Sequence, residues 1–237
     1  MRYAIIAAGE GSRLAEEGIA APKPLVEING EKLIDRLLRI FVSNGATEVC
    51  VIINDLHPQT EHWLKQRACE GVPLNYVIKT TPSSMHSMYE LAAMLDGDEP
   101  FILTTVDTVF REKEFGRYVK AWERLAADET VDGLMGVTDY IDDEKPLYVA
   151  VDDGGRNILA FRDRDEHPRY VSGGIYGLTP ISLRTLRACV EKGESRMRNF
   201  QRALLADGLR LQAWPFTKVL DVDHAGDIVK AEAFLKG

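Results

Sequence analysis

The sequence predicts an α/β fold: a Rossmann-like, three-layer α/β/α sandwich with a mostly parallel mixed central sheet and a hairpin inserted in its C-terminal half. Three observations predict it. Short, continuous apolar runs alternate with helical-period segments through roughly the first 140 residues, the pattern of strands buried on both faces and joined by crossover helices. A glycine-rich turn follows the first apolar run directly. Further on, Asp-Gly-Gly sits between two short alternating segments, a hairpin signal.

The elements follow in order. Residues 2–8 (RYAIIAA) form a buried strand stopped by Gly9. Residues 31–45 place Leu33, Ile34, Leu37, Leu38 and Phe41 at helical spacing, with Gly45 as the residue just past the helix end. A second strand covers 48–54, and Pro58 opens a helix that runs to about Glu70. Residues 74–79 and 83–95 read as strand and helix, and 100–107 as a strand ending on the carboxylate of Asp107. A helix over 113–127 and a strand over 133–140 complete the alternating half. The hairpin then spans 147–161, with a strand at 170–178, helices near 180–192 and 195–207, late strands at 209–216 and 219–223, and a closing helix at 226–237. No linker, repeat or low-complexity tract interrupts the chain, so residues 1–237 are expected to form one domain.

Composition narrows the function. The chain has 237 residues and a formal net charge of -8, which argues against a general nucleic-acid binder. An anionic substrate must be met by local cations rather than by a global field. Cys50, Cys69 and Cys189 are an odd number without a CxxC pair, so neither a disulfide framework nor a zinc site is expected. Free thiols suit a reducing compartment. No apolar run approaches the ~20 residues of a membrane span. The expectation is a soluble cytoplasmic protein without nucleic-acid or membrane partners. The five histidines lack metal-ligand spacing, Trp63, Trp122 and Trp214 suit packing, and the acidic runs 142–144 and 163–166 suit solvated faces.

Ligands of open α/β sheets bind outside the carboxyl ends of the strands. The loop at 9–14, Asp107, and the pair Asp221 and Asp223 all fall at expected strand ends. The loop fails two common phosphate motifs, because Leu14 stands where a dinucleotide fingerprint needs glycine and where a P-loop needs its second glycine. A tight Gly9-Glu10-Gly11-Ser12-Arg13 turn remains. Its backbone could approach an anion closely, and Arg13 adds a forked charge. Lys23 lies between Pro22 and Pro24, which stiffen its backbone.

The motifs AAGEGSRL and PKPLVEING together resemble the signature of the sugar-1-phosphate nucleotidylyltransferase superfamily, roughly G-x-G-[ST]-R-[LM] followed by P-K-P-[LM]. Weaker echoes, FILTTVDTVF, SGGIYGL and VLDVDHAGD, extend the resemblance over most of the chain. It implies transfer of NMP from an NTP to a small phosphate-monoester acceptor, with release of pyrophosphate and dependence on Mg²⁺. The residues it implies for the nucleotide are Ala8, Gly9, Glu10, Gly11, Ser12 and Arg13, with Arg13 on the departing phosphates. Lys23 is implied at the α-phosphate and the acceptor's phosphate, making Arg13 and Lys23 the catalytic pair. Asp107 and Asp221 match the family's metal-binding aspartates, and Asp223, two residues on, would point the same way on an extended chain.

Two segments depart from the sugar-handling pattern. Around the base, KTTPSSMHSMYEL lacks the usual glutamine and glycine-rich turn and resembles the cytidylyltransferases of phosphocholine-like alcohols. Ser83, Ser84 and Ser87 are candidates for base or ribose contact there, or alternatively for capping the helix at 83–95. Around the acceptor, the Glu-Lys-Pro expected shortly before the glycine strand is replaced by FRDRDEHPRYVSGGIYG. Arg162, Arg164 and Arg169 are the candidate replacements, with Arg162 taken as the site residue and Gly173 and Gly174 giving backbone access. A molybdopterin guanylyltransferase shares a similar loop, usually with a more glycine-rich start. A non-catalytic nucleotide-binding module on the same fold is the reading of a different class.

Overall fold

The computed structural model describes residues 1–142 and 145–236. β1 (Arg2–Ala7) leads into a five-residue helix α1 (Ser12–Glu16) and a 3-10 turn at Lys23–Leu25. A small ribbon, β2 (Glu27–Ile28) and β3 (Glu31–Lys32), precedes α2 (Leu33–Ser43). β4 (Glu48–Ile53), α3 (Pro58–Cys69), β5 (Leu74–Ile78) and α4 (Ser84–Leu95) follow. Then come β6 (Phe101–Thr105), a two-residue β7 (Thr108–Val109), α5 (Glu112–Ala127) and β8 (Gly133–Thr138). The hairpin is β9 (Tyr148–Val151) and β10 (Ile158–Arg162). The long strand β11 (Tyr170–Leu178), α6 (Ser182–Glu191), α7 (Met197–Ala206), β12 (Leu211–Phe216), β13 (Leu220–Asp221) and α8 (Ala225–Lys236) complete the chain.

Nine strands form one mixed sheet. β5, β4, β1 and β6 run parallel in that order, so their carboxyl ends share one rim. β11 lies antiparallel between β6 and β8, and β12 pairs parallel with β8. The alternating pattern predicted β8 as a further strand of the parallel run; instead β11, which comes later in the chain, separates it from β6. The expected late strand at 219–223 is also different. β13 has two residues and pairs with β7 outside the main sheet.

The period-2 alternation of β1 explains the layers. Tyr3, Ile5 and Ala7 enter one apolar core with the buried faces of α2 and α5. Ala4, Ile6 and Ala8 enter the other with α4, α6 and α7. Burying Ile5 on one face and Ile6 on the other contributes roughly 1.5–3 kcal/mol each, so β1 is anchored through both faces. That anchoring fixes the point at which the chain turns into the loop after Ala7.

Candidate active site

The loop at 8–12 leaves the middle of the parallel rim, where β1 is flanked by β4 and β6. Asn54, buried at the end of β4, holds the loop by donating its side-chain amide to the carbonyl of Gly9 at 3.0 Å. Gly11 adopts φ 67°, and a Cβ there would lie 3.2 Å from the Cβ of Lys23. Glycine at this position therefore permits both the left-handed turn and the close approach of the Pro-Lys-Pro segment. Pro22 and Pro24 are buried, which seats Lys23 against the rim.

Lys23 is the electrostatic centre. Its Nζ forms ion pairs with Asp107 and, at 2.5 Å, with Asp223. Its side chain is 11% exposed. Burial by itself would lower the ammonium's pKa, but the charges of Asp107 and Asp223 and the hydrogen bonds to both outweigh it and hold the value above that of an ordinary lysine. Burial would raise Asp107; the charge and hydrogen bond of Lys23, with help from Thr105, reverse this and hold it below the usual carboxylate value. Among the described residues Asp221 forms no ion pair, and the more distant charge of Lys23 offsets little. Enclosure in the cleft, and then the charges of Asp107 and Asp223, push its carboxyl up to about 7. The side chain faces an open cavity, and solvent there moderates the push. Thr108 donates to Asp221 Oδ1 at 3.3 Å and shares a 2.7 Å hydroxyl contact with Thr105.

Two cavities meet at this cluster. The first, about 420 Å³, is lined by Ala8, Gly9, Glu10, Gly11, Ser12, Lys23 and Asp107, with Thr81, Ser83, Ser84 and Ser87 on the far wall. The second, about 470 Å³, is lined by Arg13, Asp221, Asp223, Ser172, Gly173, Lys145, Arg198 and Lys230 among others. The pair of Lys23 with Asp223 bridges from one cavity to the other. So does Asp107, whose carbonyl accepts from Val222 N at 3.1 Å.

Most of the expected nucleotide residues gather in the first cavity. Arg13 does not. It lines the second cavity and donates to Asp223 Oδ2 at 3.1 Å, because helix α1 turns its side chain away from the glycine loop. Ser83 meets both alternatives raised for it. Its hydroxyl caps α4 by accepting from His86 N at 3.4 Å, and the residue lines the cavity. Ser87 is buried and shares a 2.6 Å hydroxyl contact with Thr81. Thr81 belongs to the same wall and was overlooked in the sequence, although it stands in the quoted serine-threonine run.

The acceptor-side expectations need correction. Arg162 lines neither cavity. It is exposed and its guanidinium is 3.5 Å from Asp165. Arg164 is not a lining residue either, and Arg169 lies over the Tyr170 ring. β10 carries Arg162 along the sheet edge and away from the rim. Lys145 and Arg198 line the second cavity instead, and Arg198 donates to the Lys145 carbonyl at 2.8 Å. The Glu-Lys-Pro sought before the glycine strand does occur, at 144–146, one hairpin earlier in the chain. Glu144 and Asp143, part of the acidic run expected to be a solvated face, lie outside the described residues; Asp142 of that run accepts from Lys230 at 2.8 Å. Gly173 lines the second cavity, whereas Gly174 does not. The two glycines make a bulge in β11 against β8. Gly174 has φ 68°, and a Cβ there would meet Thr108 Oγ1 at 3.1 Å, so its role is conformational.

Among the described residues, no group of three or more His, Cys, Asp or Glu side chains is closed tightly enough to hold a metal ion. The donor chemistry nevertheless suits a hard cation. Asp107 Oδ1 is a buried oxygen without a hydrogen-bond partner. Asp221 opens onto the adjoining cavity, and the Lys23 ammonium occupies the position between Asp107 and Asp223.

A parallel rim with a glycine loop, a seated lysine and strand-end carboxylates is the ligand-binding edge of an open, Rossmann-like α/β domain. The fold agrees with a solved inositol-1-phosphate CTP transferase from T. maritima, with TM-score 0.77, 16% identity and coverage of 99% of this chain and 97% of that one. It also agrees with a Bacillus anthracis protein described as a glucose-1-phosphate thymidylyltransferase, at TM-score 0.84 and 16% identity, covering 99% and 94%. The family model for the MobA-like NTP transferase domain matches residues 3–206, and the chain belongs to that family. A relative in sequence is the CMP-5'-(3-aminopropyl)phosphonate synthase of Streptomyces rubellomurinus, 27% identical over 158 residues, or 61% of this chain. The match spans a quarter (25%) of that longer protein.

Proposed function

We propose that this chain is a nucleotidylyltransferase domain, spanning 1–237, that transfers NMP from an NTP to a sugar 1-phosphate or related phosphate monoester. The observation that carries the reading is the pair of cavities meeting at Lys23, with carboxylates on both sides. The NTP would occupy the cavity of the glycine loop and the acceptor the cavity of Lys145, Arg198 and Gly173. An oxygen of the acceptor's phosphate attacks the α-phosphorus; the bond from that phosphorus to the α,β-bridging oxygen breaks, and pyrophosphate leaves with the electron pair. Catalysis of this displacement rests on alignment and charge neutralisation. Lys23 is the cation at the junction, and it must turn from Asp107 and Asp223 toward the reacting phosphates. Arg13, on the acceptor side of the seam, would screen the approaching anion as well as the departing one.

Asp107, Asp221 and Asp223 would hold a Mg²⁺ ion, which when bound supplies positive charge to phosphate oxygens. The orphaned Asp107 Oδ1 supports this assignment. Asp107→Asn is expected to lower the maximal rate and to raise the Mg²⁺ concentration needed for half of it by at least about tenfold; activity indifferent to divalent ions in the unaltered protein overturns the metal assignment.

A second reading is narrower: CTP as donor, with an alcohol phosphate or aminoalkyl phosphonate as acceptor. The hydroxyl-lined wall at 81–87 and the name of the Streptomyces relative support it. A cytoplasmic location is supported by three free cysteines. The deciding experiment is pyrophosphate release from each of four NTPs, crossed with sugar 1-phosphates, phosphocholine-like alcohol phosphates and aminoalkyl phosphonates. Release with one donor and one acceptor class identifies the substrates. Tight NTP binding without release for any acceptor overturns the enzyme reading in favour of a non-catalytic module.

A further inference from the structure

Residues 222–225 carry the chain from the end of β13 into α8, outside the main sheet. Asp223 projects from this stretch, and Asp221, the last residue of β13, immediately precedes it. Lacking a strand ladder, its backbone N–H groups need other acceptors, and each has one. Val222 donates to the Asp107 carbonyl. Asp223 and His224 donate to Asp227 Oδ2 at 3.2 and 2.9 Å. Ala225 donates to Glu17 Oε2 at 2.6 Å. The first acceptor belongs to the strand-end loop after β6 and the second to α8 itself. Glu17 comes from elsewhere: it stands at the C-terminal end of α1, 208 residues away in sequence from Ala225. Its other oxygen, Oε1, accepts from His224 Nδ1 at 2.6 Å.

Nothing local favours a carboxylate at that point, because acidic side chains are disfavoured at the C-terminal ends of helices. Its partners are tertiary. α1 also carries Ser12, which lines the glycine-loop cavity, and Arg13, which grips Asp223 from the same side. The short helix and the carboxylate segment are thus tied at two points, Arg13 to Asp223 and Glu17 to the 224–225 backbone and side chain.

We propose that Glu17 is a positioning residue: its carboxylate clamps the start of α8 to α1 and so sets the Asp221 and Asp223 carboxylates against the glycine loop. The proposal rests on the nucleotidylyltransferase reading for its catalytic consequence and on the hydrogen bonds alone for its structural one. Glu17 touches no reacting atom; it acts through the backbone that carries Asp223. The side chains of Glu17 and His224 are 39% and 43% exposed, so substitution leaves both cores untouched and the fold intact.

The test compares Glu17→Ala and Glu17→Gln in the full chain by three readouts: amide exchange at 222–225, Mn²⁺ affinity without nucleotide, and steady-state kinetics. Glu17→Ala is expected to speed exchange at Ala225 and His224 by at least about tenfold while exchange in β1 and β4 is unchanged. It is expected to weaken Mn²⁺ binding severalfold and to lower kcat about tenfold with little change in KM for the NTP. Glu17→Gln keeps an oxygen for the Ala225 N–H and is expected to fall between Ala and the unaltered chain. Unchanged exchange at 222–225 overturns the clamp. Faster exchange with unchanged Mn²⁺ affinity and kcat overturns the positioning role and leaves a surface contact. Should the unaltered chain release no pyrophosphate with any acceptor, the enzyme reading fails by itself, and the exchange and Mn²⁺ data still decide the clamp.

Discussion

The two cavities that meet at Lys23 are built differently. The glycine-loop cavity, proposed for the nucleotide, draws every lining residue from the first 107 positions, in three short runs at 6–12, 81–87 and 105–107 plus Lys23. Small residues, hydroxyls and backbone dominate it, and Lys23 is its one cation among the described lining residues. The second cavity, proposed for the acceptor, collects Arg13, the stretches around 138–146 and 171–173, Arg198 and the stretch at 219–230. It brings together Arg13, Lys145, Arg198 and Lys230, with Asp142, Asp221, Asp223 and Asp227 interleaved. One cavity is a local motif placed on a parallel rim. The other is an assembly of remote segments whose charges largely answer one another. If the two cavities take donor and acceptor as proposed, the two recognitions should be separable by substitution, except at Lys23, Asp107 and Asp223 where the cavities meet.

The largest effect is expected for Lys23→Ala. Turnover should fall by about 10³-fold or more, because the cation that pairs with both Asp107 and Asp223 is lost. Stability should fall too, since Asp107 loses its partner; breaking a buried ion pair costs roughly 3–5 kcal/mol, and the 42% exposure of Asp223 puts this case toward the lower end. A loop cation that merely waved in solvent would leave the thermal midpoint unmoved, so calorimetry of the variant checks the seating of Lys23 independently of activity.

Next come paired variants that probe the division. Arg198→Ala or Lys145→Ala should raise the acceptor's KM by about tenfold and leave that of the NTP within twofold. Ser87→Ala should do the reverse, raising the NTP's KM by roughly three- to tenfold through loss of one hydroxyl contact. Equal movement of both KM values in either variant would erase the distinction between the cavities. Arg162→Ala, by contrast, should change neither parameter by more than about twofold, as an exposed surface pair is worth little.

The smallest effect concerns pH. The hydrogen bond to Glu17 and its charge raise the His224 pKa above the ordinary histidine value, and the same contact lowers Glu17. The histidine's contribution to stability is present below its unfolded pKa and is lost as pH rises through its raised folded value. The glutamate's contribution is present above its unfolded pKa and is lost as pH falls through its lowered folded value. An NMR titration should place His224 above an ordinary histidine, and Glu17→Gln should bring it down. A His224 that titrates normally in the unaltered chain would remove its side-chain contact from the link between α1 and α8, leaving only the Ala225 N–H to Glu17.

Much of the glycine-loop cavity was legible because its signals are local. Two glycines, a lysine held between prolines and a carboxylate after an apolar run each state their backbone requirements within a few residues. Asn54 was hidden for a related reason: it reads as the last residue of a strand, and only the neighbouring strand reveals that its amide supports Gly9. The acceptor side misled. Arg162 follows an apolar strand and precedes the glycine strand, yet the hairpin carries it to the sheet edge. Lys145 stood in a Glu-Lys-Pro, but on the far side of that hairpin, and Arg198 lies in a helix with no motif around it.

The alternating strands and helices, the two-sided burial of β1 and the tight glycine turn at 9–11 were determined by the sequence itself. Each follows from side-chain size and period over a short span, where backbone geometry leaves few choices. The tertiary structure decided the insertion of β11 between β6 and β8, the meeting of Lys23 with Asp107 and Asp223, and the closure of Glu17 on α8. These depend on pairings across 33 to 208 residues. No local preference encodes such a pairing; it is selected only when both cores pack against the same sheet.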